Sequence, residues 1–93
     1  MFKVADKKLM EVGFTKTSED AYGVFYERED KEYKYIQVIA ILHKKSGRHI
    51  VQSYDKNLFD TRNIGCTNVG MSAYELKWCY RKMKELGWAK TSK

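Results

Sequence analysis

Met71 to Trp88, MSAYELKWCYRKMKELGW, is the stretch whose start, period and stop can all be read, and the rest of the chain is read outward from it. Ser72 followed by Glu75 forms a capping box, in which the hydroxyl accepts from the N–H of Glu75 while the glutamate accepts from the N–H of Ser72. A helix therefore starts there. Met71 and Leu76 hold the positions of a hydrophobic staple, and Gly87 before Trp88 predicts a left-handed C-terminal cap with an apolar residue folded back on the last turn. At about 100° per residue, Ala73, Leu76, Cys79, Tyr80, Met83 and Leu86 share one arc, the expected core face. The opposite arc carries Lys77, Arg81 and Lys84, with Tyr74 and Trp78 among the cations and Lys82 beside them.

Upstream, Phe2, Ala5, Leu9 and Val12 share one face of a first helix that stops at Gly13 with Phe14 behind it. Lys8 to Lys16, KLMEVGFTK, and Lys82 to Lys90, KMKELGWAK, follow the same order of lysine, apolar, any, Glu, apolar, Gly, aromatic, any, Lys. This is one capping solution used twice, and it predicts that both helices close against the same aromatic-lined end of the core. Thr15 to Ala21 is polar and turn-like. Tyr22 to Glu29, Tyr33 to His43 and Arg48 to Tyr54 are rich in aromatic and branched residues and read as three strands of a meander. The middle one sets Ile36, Val38, Ala40 and Leu42 on one face and Tyr33, Tyr35, Gln37, Ile39 and Ile41 on the other, so it should be central and buried on both sides.

The expected fold is α+β, in the order α-β-β-β-α, with a three-stranded antiparallel sheet and both helices packed on one face. Leu9, Val12, Leu76, Met83 and Leu86 should lie between the layers. Residues 1–90 form a single domain in this reading, and 91–93 a disordered C-terminal tail. Asp55 to Gly70, DKNLFDTRNIGCTNVG, is a long connection for so small a domain, and its Leu58, Phe59, Ile64 and Val69 predict that it packs across the molecule. Helices on one face leave the other in need of cover, which predicts a homodimer or a loop over the sheet.

Ninety-three residues bury only about 60 to 65% of the surface of the unfolded chain, so a deep substrate cleft is hard to carve from the core. The net charge is +6, from 18 Lys and Arg against 12 Asp and Glu. Acidic partners are mildly favoured, but the acids are mixed among the bases and no basic tail is present. Cys66 and Cys79, with no signal peptide upstream, suggest a reducing, cytoplasmic setting. No apolar run approaches membrane-spanning length, and no membrane partner is expected.

Catalysis has no constellation to rest on. His43, His49, Cys66 and Cys79 are the candidate zinc ligands, yet no CxxC or HxxxH pair exists and Cys79 lies on the core arc. Asp55, Asn57 and Asp60 lack the glycine and the closing glutamate of a calcium loop, and neither Gly65 nor Gly70 belongs to a phosphate-binding loop. No cofactor and no metal are expected, and the chain reads as a non-enzyme.

The element order is shared by double-stranded RNA-binding domains. Those open their second helix with a lysine cluster, whereas Ser72, Ala73, Tyr74 and Glu75 stand here, so the likeness is one of topology. Closer is the resemblance to small uncharacterised proteins of phages and prophages of Gram-positive bacteria. It rests on Glu11 to Phe14, on the tyrosine- and lysine-rich meander of Tyr22 to Tyr54, and on Ser72 to Trp88 with its Tyr-Glu-Leu-Lys opening and Glu-Leu-Gly-Trp close. It covers most of the chain and implies a phage or host context without carrying over an activity.

Tyr74, Lys77, Trp78, Arg81, Lys82 and Lys84 are the candidate binding residues. Trp, Tyr and Arg are the side chains enriched at interface hot spots, and aromatics on a basic face can also stack bases. If the long connection covers Trp78, that indole is ordinary core. Glu75 and Glu85 interrupt the basic face, which favours a host or phage protein partner, bound there or on the sheet, over nucleic acid.

Overall fold

The computed structural model describes residues 3–57 and 68–88. Its elements are α1 (Val4–Glu11), β1 (Thr15–Glu19), β2 (Gly23–Asp30), β3 (Tyr35–Leu42), β4 (Ile50–Asp55) and α2 (Ala73–Glu85). The sheet is antiparallel in the order β1-β2-β3-β4, with four strands where the sequence predicts three. The added strand is TKTSE, which reads as a turn because it has no apolar residue. As an edge strand it pairs on one side only, and an edge tolerates polar side chains. The expected packing of 55–70 and the tail at 91–93 fall largely or wholly outside the described residues.

Both helices end as their sequences predict. Gly13 (φ +100°) and Gly87 (φ +77°) take the left-handed conformation. Behind them Phe14 N–H donates to Leu9 O at 3.1 Å and Trp88 N–H to Met83 O at 2.8 Å, while each glycine N–H reaches back three residues, to Met10 O and Lys84 O. These are Schellman closures. They do not share one end of the core, because Ala5 at the start of α1 meets Glu85 near the end of α2 and the helices run antiparallel. Phe14 stacks under Arg28 at one end of the sheet, and Trp88 lies against His43 at the other.

The strand register places Tyr26 opposite Ile39 and Val24 opposite Ile41. Leu9 of α1, Phe14 and Cys79 of α2 join these four in one buried cluster, with Val12, Trp78, Met83, Leu86 and Trp88 partly buried against it. β3 alternates as expected and is covered on both faces, Val38 and Ala40 being only 4% and 1% exposed. Leu76 departs from expectation: it is 50% exposed, although it occupies a staple position and the predicted core arc.

Candidate functional site

The face that α2 turns inward is only in part the apolar one, since Cys79, Met83 and Leu86 meet the core but Leu76 and Tyr80 do not. Glu75, Cys79 and Lys82 are its buried residues, while Leu76 and Tyr80 remain about half exposed at 50% and 48%. Relative to the predicted phase, the helix is rotated by roughly a quarter turn at 100° per residue. The cause is a set of polar partners waiting on the sheet and on α1.

Lys82, expected at the surface, is 0% exposed. Its Nζ lies 3.1 Å from Asp6 of α1, itself fully buried, and 2.9 Å from Glu19 Oε1 of β1. Lys16 Nζ bonds the same two acids at 3.1 and 2.8 Å, and Tyr26 OH donates to Asp6 Oδ1 at 2.6 Å. Two cations and two anions make the cluster neutral, which is how charge survives in a dry place. A β-bulge builds it. Lys16 faces Tyr26 and Ser18 faces Phe25, leaving Thr17 as the extra residue, so Lys16 and Glu19 reach the same face although three residues apart. Burial alone would raise the Asp6 carboxyl, but bonds from Tyr26, the Lys3 N–H, Lys82 and Lys16 outweigh it and hold it below its ordinary value.

Glu75 turns in to a second network. Arg28 donates to Glu75 Oε2 at 3.0 Å, to Gln37 Oε1 at 2.8 Å and to Val12 O at 2.9 Å, and Gln37 Nε2 donates onward to Ser53 Oγ at 2.9 Å. Glu75 also closes the capping box, with Ser72 N–H at 3.2 Å and its own N–H on Ser72 Oγ at 3.1 Å. Glu85, largely buried, meets Ala5 N–H at 3.3 Å and Arg81 Nε at 3.4 Å.

The outer face of α2 is left with Lys77, Arg81 and Lys84, flanked by Tyr74, Leu76 and Tyr80, with Glu85 at its margin beside Arg81. Lys84 Nζ lies 5.2 Å over the Tyr80 ring. Trp78 is not on this face but half-buried in the seam with α1, where Lys77 Nζ and Lys8 Nζ lie 5.1 and 5.7 Å from its ring. Tyr74 tilts against it at 6.3 Å. Of the six predicted binding residues the structure keeps Lys77, Arg81, Lys84 and Tyr74 on the surface, places Trp78 at its margin, and withdraws Lys82.

Compared with known protein families, curated proteins and solved structures, the chain matches none.

Burial pushes the Cys79 thiol up to about 12, which leaves it protonated and unreactive at neutral pH. Cys66 lies outside the described residues. Among the described residues no group of three or more His, Cys, Asp or Glu gathers to hold a metal, and no helix is long and apolar enough to cross a membrane. From the sequence His43 and His49 are weighed only as zinc ligands; in the structure they stack across the β3–β4 hairpin at 4.6 Å between ring centroids. Two histidines separated by a lysine-rich turn, HKKSGRH, were the available signal.

Proposed function

We propose that this is a non-catalytic, phage-type module that binds nucleic acid through the outer face of α2. The observation that carries the reading is the inward turn of Glu75 and Glu85. Those two acids were the reason to favour a protein partner. Glu75 is bonded to Arg28, and Glu85 to the start of α1 and to Arg81 Nε at 3.4 Å, so Lys77 and Lys84 stand clear of both acids while Arg81 keeps one as a partner. A basic stripe with its acids turned inward and aromatics beside it is the pattern of a phosphate-binding face.

Fluorescence anisotropy of a labelled oligonucleotide, read across a salt series, tests this. Three phosphate contacts should contribute roughly −2 to −3 to the slope of log affinity against log salt, and Lys77→Ala with Arg81→Ala and Lys84→Ala should remove that share. Binding that ignores both salt and these substitutions would overturn the proposal. A protein partner is the second reading, favoured by the half-exposed Leu76 and Tyr80, and it predicts that Leu76→Ser is the more damaging change.

A further inference from the structure

The β3–β4 hairpin supplies chemistry that the α2 face lacks. Between Gln37 and Tyr54 the chain holds Lys44, Lys45 and Arg48 and not a single Asp or Glu. All three cations are exposed, and among the described residues none is ion-paired. Such a cluster repels itself until an anion arrives.

Aromatic rings stand next to it. Gly47 (φ +84°) turns the hairpin and brings the His43 and His49 rings together at 4.6 Å and 14° between planes, with Lys44 N–H on His49 Nδ1 at 3.4 Å. Trp88, fixed by the closure of α2, lies 4.7 Å and 29° from His43 and 6.1 Å from His49. His43 Nδ1 is buried without a hydrogen-bond partner among the described residues, a polar atom that the fold itself leaves unsatisfied. The rings and cations line a recess of about 730 Å³, within the size range of small-molecule sites. Tyr80 lines it as well, and with Lys84 over its ring it connects the recess to the outer face of α2.

We propose that this recess is a nucleotide pocket: an unpaired base stacks on the outer face of the ring cluster formed by His43, His49 and Trp88 while its phosphate is held by Lys44, Lys45 and Arg48. The inference rests on the nucleic-acid reading of α2 and narrows it, since a base inside a duplex has no free face to offer and the strand bound here must be single. Electrostatics oppose a cation as the occupant, because three exposed positive charges line the recess with the two imidazoles.

The sequence has two tryptophans, so Trp78→Phe leaves Trp88 as the sole indole reporter. Adenosine monophosphate and a short single-stranded oligonucleotide should each quench its fluorescence saturably. Inorganic phosphate and a duplex of the same length should not. Lys44→Ala with Arg48→Ala should weaken the quenching titration about tenfold or more while leaving the urea midpoint of folding unchanged. Oligonucleotides that bind by anisotropy without quenching Trp88, or single strand and duplex quenching alike, would overturn the pocket and leave the α2 reading standing. Quenching by adenosine monophosphate with no oligonucleotide binding would support the pocket and overturn the α2 reading.

Discussion

Lys82 shows how a single side chain sets the phase of a helix. A lysine with 0% exposure is stable only while its ammonium has acceptors, and Asp6 and Glu19 are the two within reach. Asp6→Ala strands that ammonium with one acceptor, which it shares with Lys16, and should cost about 3 to 5 kcal/mol by urea unfolding. Lys82→Met should cost clearly less. It keeps the volume and still leaves Asp6 with Lys16, Tyr26 and the Lys3 N–H as donors. Equal losses for the two variants would mean that packing, not charge pairing, governs this position. Apolar periodicity could not foresee the arrangement, because it counts every lysine as a surface residue, and the acids that reverse the rule lie 63 and 76 positions away.

At the scale of elements, what could be read from sequence was what is local. The capping box at Ser72, the two glycine closures and the alternation of β3 each depend on residues within one turn or one strand, and each is found where it was expected. β1 could not be read, since an edge strand of Thr, Lys, Thr, Ser and Glu is defined by the ladder it joins. The outward face of α2 was half read. Its cations are legible, but the acids between them take partners on β2 and α1, with Glu85 keeping Arg81 as well. The two glycine closures differ in a measurable way. Gly87→Ala meets no atom within 4 Å and should cost about 1 to 2 kcal/mol, the strain of a left-handed residue bearing a Cβ. Gly13→Ala sets its Cβ 3.1 Å from Arg28 Cδ, and Arg28 is fixed by Val12, Gln37 and Glu75, so the loss should be larger. Thermal unfolding of the two variants side by side decides it, and a milder effect at Gly13 would show that Arg28 is free to move.

For the whole molecule the ionic cluster sets a pH window. Glu19 is held below its ordinary 4.5 by Lys16 first and then, against burial, by Lys82, and Asp6 lies below its ordinary 3.8. Groups with lowered values bind fewer protons folded than unfolded, so their contribution is present above those values and fades as the pH falls through them. Lys16 is opposite. Burial lowers it, but Glu19 and Asp6 raise it above 10.5, so its contribution is complete below that value and is lost as the pH rises beyond it. The urea midpoint should therefore stay level across the neutral range and drop on both sides, with little response to salt from Asp6, which is fully buried, and more from Glu19, whose side chain is 31% exposed. A midpoint unchanged down to pH about 3 would detach the cluster from stability.

The Asp6–Lys82 pair has a further consequence, for the making of the protein. Its partners stand 76 positions apart, nearly the length of the chain, so this contact closes one of the longest loops the molecule contains. During synthesis the strands can pair in succession as they emerge, each with the one just before it. Asp6, Lys16 and Glu19 must meanwhile stay wet, since the ammonium that completes their charge balance has yet to be translated. The last helix is therefore the step that commits the domain, and a chain halted before Lys82 is left with an open, hydrated sheet surface.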